Sequence, residues 1–116
     1  MRVLLLLSLL LVAGCSSIRS GLEIDPGATF VLGGDQRGAF RVQILNTGPA
    51  AVRVSEVTVF QDTTDIALIR PGDSAEAHFS EGSAALIANL DGQEASLDVR
   101  ITGDTNLGMG YTEADE

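Results

Sequence analysis

Few side chains in this sequence could do chemistry, and their spacing limits what that chemistry would be. His78 is the only histidine, with Glu76 two residues before it. In an alternating segment both fall on one face, an acid and a base by type. A serine–histidine–acid site also needs a positioned nucleophile and oxyanion donors, and no Gly-x-Ser-x-Gly turn occurs. Zinc needs about three or four nitrogen or sulfur ligands, more than one histidine and one cysteine supply. Asp62 and Asp65 flank two threonines, and Asp104 and Asn106 flank another. Calcium takes roughly six to eight oxygens, and the Asp-x-Asp-x-Asn-Gly spacing that gathers them is missing. Gly33 to Gly38 has six-residue glycine spacing but lacks the lysine and Ser/Thr of a phosphate loop. All of these are expected to be surface or turn residues, with no catalytic residue, no metal and no cofactor.

Cys15, the only cysteine, differs because of what precedes it. Met1 and Arg2 make a short positive start, and Val3 to Ala13 is an apolar run broken only by Ser8. Gly14, Cys15, Ser16 and Ser17 follow, completing the charged, apolar, small-residue order of a secretory signal. The apolar run falls short of the ~20 residues that cross a ~30 Å hydrocarbon core. A structural role would need a disulfide partner, which is lacking. An ordinary secretory signal favours small residues three apart before the cut, which Ala13 and Cys15 fit poorly.

Val12-Ala13-Gly14-Cys15 resembles the lipobox of bacterial lipoproteins. The resemblance implies diacylation of the Cys15 sulfur and cleavage between Gly14 and Cys15, leaving Cys15 as the new N-terminus. A single acyl chain binds membranes only marginally, and stable anchoring takes two or more, which the resemblance supplies. It also implies a membrane-anchored location in the cell envelope. Ser16 stands where aspartate marks inner-membrane retention in enteric lipoproteins, so the outer membrane is favoured in a cell that has one.

Removing residues 1–14 as signal leaves enough chain for one domain. It carries six arginines, no lysine and sixteen acids, a net charge of −10. So acidic a chain lacks the basic footprint of a nucleic-acid binder, and anionic headgroups repel it. Residues 15–21 read as a short lipidated tether, 22–111 as the folded domain and 112–116 as an acidic tail. Export without a disulfide means that packing alone holds the fold.

Period-two alternation dominates those residues. Phe40, Val42 and Ile44 alternate with Arg41 and Gln43. Ala95, Leu97, Val99 and Ile101 alternate with Ser96, Asp98, Arg100 and Thr102. Each pattern predicts an antiparallel strand with one wet face. Between Val52/Val54 and Val57/Val59 the apolar phase slips across Ser55-Glu56, and a bulge there would keep all four valines inward. Gly, Pro, Asn and Asp clusters punctuate the pattern. Strands are predicted over 22–24, 28–32, 39–45, 51–60, 66–69, 74–79, 83–90, 95–102 and 106–111. The fold class is all-β, a single antiparallel sandwich of seven to nine short strands, with Phe40, Val42, Ile44, Val52, Val54, Leu97, Val99 and Ile101 buried.

Phe40 to Pro49, a strand running into Asn46-Thr47-Gly48-Pro49, resembles the signature of bacterial immunoglobulin-like domains. Leu68 to Ser74 resembles their leucine, proline-glycine, serine turn. The resemblance implies an immunoglobulin-like sandwich of the kind found in surface and adhesion-type proteins, an architecture and not an activity.

Leu107-Gly108-Met109-Gly110-Tyr111 is the one unusual run. Three larger residues share a face and two glycines leave the other bare. As a core strand it packs inward. As an edge it offers Leu107, Met109 and Tyr111 as a strip for protein binding. The expected function is therefore a non-enzymatic, lipid-anchored module acting by contact with an envelope protein. The alternative is a lipoprotein binding a small ligand or glycan, though glycan sites normally stack sugars on aromatics that are scarce here.

Overall fold

The computed structural model describes residues 17–112. Cys15, Gly14, the rest of the signal segment and residues 113–116 lie outside the described residues. Nine strands follow in order: β1 (Ser17–Ile24), β2 (Thr29–Gly33), β3 (Phe40–Pro49), β4 (Val52–Val57), β5 (Thr63–Ile69), β6 (Ser74–Phe79), β7 (Ala84–Asn89), β8 (Ala95–Gly103) and β9 (Met109–Thr112).

The pairing is nested. β4 pairs with β5, β3 with β6, β2 with β7 and β1 with β8, all antiparallel. The first eight strands thus form one long hairpin. It is folded over so that β3 also meets β8 and β4 also meets β7. The result is a four-stranded sheet, β1-β8-β3-β6, packed on a five-stranded sheet, β5-β4-β7-β2-β9. The expected two-sheet antiparallel sandwich is present, and its winding is that of a jelly roll. An immunoglobulin sheet sets its first strand beside its second. Here those two strands lie in different sheets, so the immunoglobulin-like order implied by residues 40–49 is corrected. Turn chemistry marks where strands end, not which distant strand completes each ladder.

The core lies between the inner faces. All eight residues expected there, Phe40 through Ile101, are buried, joined by Ile24, Leu32, Ile69, Phe79 and Ile87. Phe40 and Phe79, directly opposite in the β3–β6 ladder, stack at 5.0 Å. Three amides also lie inside. Asn46, Asn89 and Gln36 are each at most 5% exposed and bonded to turn backbone. Among the described residues no buried side-chain nitrogen or oxygen lacks a partner, as a stable interior requires.

Several boundaries differ from expectation, among them the start of β5, which lies at Thr63 and not at Ile66. Ser17 to Gly21, expected as tether, form the first part of β1, paired from Ser17↔Thr102 to Gly21↔Asp98. An edge strand needs little alternation, and in that stretch only Ile18 packs against the core. Asn46 to Pro49, expected as a turn, continue β3, with the register slipping between Asn46 and Gly48. β4 stops at Val57, and the slip opposite Val54/Ser55 lies in β5, where Ile66 is the extra residue. β4 therefore keeps its phase against β7, with Val57 opposite Ala84 on the outer face, because directly opposed residues share a face. Only Val52 and Val54 are inside, and Val59 is 56% exposed. Finally, β9 begins at Met109, not at Asn106, and runs on through Thr112.

The antiparallel winding gathers alternate connections at opposite ends. Segments 34–39, 58–62, 80–83 and 104–108 share one end with Ser17. Segments 25–28, 50–51, 70–73 and 90–94 share the other.

Candidate protein-contact strip

Among the described residues β9 pairs with β2 alone and closes one side of the five-stranded sheet. Its register sets Met109 opposite Leu32, Gly110 opposite Val31 and Tyr111 opposite Phe30. Phe30 and Leu32 are buried, so Met109 and Tyr111 share the inner face at its rim, and Gly110 lies on the outer face. The three expected strip residues are not equivalent. Leu107, before the strand, packs against the core. Met109 and Tyr111 are 54% and 52% exposed.

Tyr111 spans the open flank between the sheets. Its ring meets Phe30 edge-on at 5.1 Å. Its hydroxyl donates to the Glu23 carbonyl oxygen at 3.1 Å, reaching β1, the facing edge of the other sheet. Desolvation lifts the hydroxyl above its ordinary 10.0, and the negative charges of Asp25 and Glu23 push the same way. The phenol therefore stays a donor at neutral pH, with half its surface free. A large ring with a polar tip in this setting is what contact surfaces favour.

Edge strands are normally guarded by charge or proline. Among the four edges, β1 carries Arg19 and Glu23, β5 carries Asp65, and β6 carries Glu76 and His78. β9 carries no charged residue, and no strand among the described residues pairs with its outer row of backbone groups, which can accept another strand.

The residues weighed for chemistry lie apart from this strip and from one another. His78 is exposed opposite Arg41 on the outer face of β6, and Arg41 is paired with Glu76 at 3.6 Å. Asp65 accepts from the Ser55 hydroxyl at 2.9 Å. Asp104 accepts from the Gly38 and Asn106 N–H groups, tying two connections together. Within the glycine-spaced loop, Gln36 Oε1 takes the Gly34 N–H and Gln36 Nε2 donates to Ser80 and Ser83. That loop is an internal brace. Among the described residues no three His, Cys, Asp or Glu side chains converge on a metal-sized space. His78→Ala is expected to change stability by less than about 1 kcal/mol and to leave cellular phenotype unchanged. Urea melts and growth of the mutant strain check this, and a null phenotype would contradict it.

The sequence hides the exposed pair Val59-Phe60, because Val59 continues the alternation of the valine run and the strand expected over 51–60 takes in Phe60 beside it, whereas both lie in the turn after β4.

No protein-family model matches the chain, and no curated protein does. Among solved structures, the crystal structure of the Yersinia pseudotuberculosis-derived mitogen (YPM) is similar at a TM-score of 0.48 and 12% identity, over 81% of this chain and 95% of that one.

Proposed function

We propose that this chain is a non-enzymatic, lipid-anchored lipoprotein of the cell envelope, held by Cys15 and acting as a protein-interaction or structural module. The observation that carries the contact reading is β9, an uncharged strand at the sheet edge among the described residues, presenting Met109 and Tyr111 half exposed. Tyr111 lies toward the end opposite Ser17, so an anchor on Cys15 turns that part of the strip away from the bilayer. The partner is an envelope protein that adds a strand to β9 or covers its rim.

Tyr111→Ala tests this through two readouts. It should abolish stoichiometric recovery of the partner cross-linked on intact cells. Losing the Phe30 contact and the bond to Glu23 should cost about 1 kcal/mol, roughly 4–8 °C in thermal midpoint for a domain of this size. Undiminished partner recovery, with a larger midpoint drop, would leave Tyr111 as a core residue only.

A further inference from the structure

We propose that the turn 58–62 is a second membrane contact, with Phe60 and Val59 seated at the headgroup–acyl boundary of the bilayer that holds the lipid on Cys15. This rests on the lipid-anchor reading above and adds an orientation to it.

Phe60 is 83% exposed, the most exposed large hydrophobic residue among those described, and Val59 beside it is 56% exposed. They are presented by a closed turn. Thr58 N–H donates to the Asp62 carbonyl at 2.9 Å, and Gln61 N–H donates to the Thr58 carbonyl at 2.9 Å. The Thr58 hydroxyl accepts from the Phe60 and Asp62 N–H groups at 3.3 and 3.4 Å. Gln61 takes a left-handed φ of 69°, which a non-glycine residue holds only where the surrounding bonds over-determine it. Val59 also rests on the turn after β6. There Gly82 has a φ of 78°, and an added Cβ would come within 2.5 Å of Val59 Cγ1. The ring is thus held outward on a rigid mount.

Chain connectivity names the occupant. The turn lies at the same end of the sandwich as Ser17, and two peptide units separate Ser17 from Cys15, a reach of about 7 Å. From β1 the turn is about three strand spacings to the side, roughly 15 Å, and one sheet separation across, about 10 Å. A sandwich standing on that end brings its lipid and the Phe60 turn to one surface. The other connections there, 34–39, 80–83 and 104–108, are polar or charged at their tips. Within these connections Asp35, Asp62, Glu81 and Asp104 outnumber Arg37, so the contact made by the turn is apolar and does not recruit anionic headgroups. Insertion of an aromatic side chain at the acyl boundary needs no such attraction.

The sequence contains no tryptophan, so Phe60→Trp gives a single reporter, and Leu90→Trp, at the opposite end, gives its control. Each protein, expressed with its signal segment, is purified lipidated from bacterial membranes and placed in phosphatidylcholine vesicles whose acyl chains carry bromine. Phe60→Trp should emit at shorter wavelength than Leu90→Trp and be quenched several-fold more strongly, with no dependence on salt. Equal quenching at the two positions, in protein that floats with the vesicles, overturns this inference and leaves the anchor standing. Protein that fails to float overturns the anchor reading and the inference with it.

Discussion

Replacing Asn46 with alanine should lower the stability of the domain by about 3–5 kcal/mol. The side chain is 0% exposed. Its Nδ2 donates to the Ala50 carbonyl at 2.8 Å and the Ile69 carbonyl at 2.9 Å, and its Oδ1 accepts from the Gly48 N–H at 2.7 Å. Asn46 main-chain groups are bound too, its N–H to the Asp73 carbonyl and its carbonyl to the Gly72 N–H. One residue thus joins the end of β3 to the β3–β4 and β5–β6 connections. Alanine leaves three backbone groups without partners in a dry site, at about 1–3 kcal/mol each, with the lower part expected where water enters. Against a total of about 5–15 kcal/mol for a domain this is a large fraction. Asn46→Asp should be comparably damaging, because a carboxylate cannot donate to two carbonyls. Urea denaturation of the domain checks both, and a loss under about 1 kcal/mol would contradict this role for Asn46.

Strand identity was legible wherever one face of a strand meets the core and the other meets water. Phe40 to Leu45 and Ala95 to Thr102 follow that rule, and their inward residues are the buried ones. What was not legible has a common cause, dependence on residues far along the chain. That β1 pairs with β8, and not with β2, is decided some eighty residues away. Turns such as Pro71-Gly72 look alike in a jelly roll and an immunoglobulin sandwich. The register slip near Ser55 shows in the β4 sequence as a broken alternation, yet the extra residue is Ile66 on the neighbouring strand. Asn46 has the composition of a turn residue and lies buried inside a strand, because its amide satisfies backbone groups that local sequence does not reveal. At the candidate strip, the missing charges of β9 are plain in the sequence. Its edge position comes from the winding, which also draws Leu107 to the core and spreads Tyr111 across the flank.

Cys15→Ser is expected to have the largest effect of any substitution, since it removes the anchor altogether. Serine keeps the size of the side chain but replaces the thiolate nucleophile, and acyl transfer to sulfur depends on that thiolate. The variant should accumulate unprocessed or be released in soluble form, with no incorporation of a palmitate analogue. Its domain stability should be unchanged, because position 15 precedes the first strand. Equal labelling of Cys15→Ser and wild type would remove the lipid-anchor reading, and with it the membrane orientation proposed for Phe60.

The most direct measurement is the intact mass of the wild-type protein extracted from bacterial membranes. The expected result is a chain beginning at Cys15, lacking residues 1–14, and heavier than the polypeptide from Cys15 to Glu116 by the mass of two or more acyl chains. A mass equal to the unmodified full-length chain, or to a processed chain with a free Cys15 thiol, would contradict a lipid-anchored module.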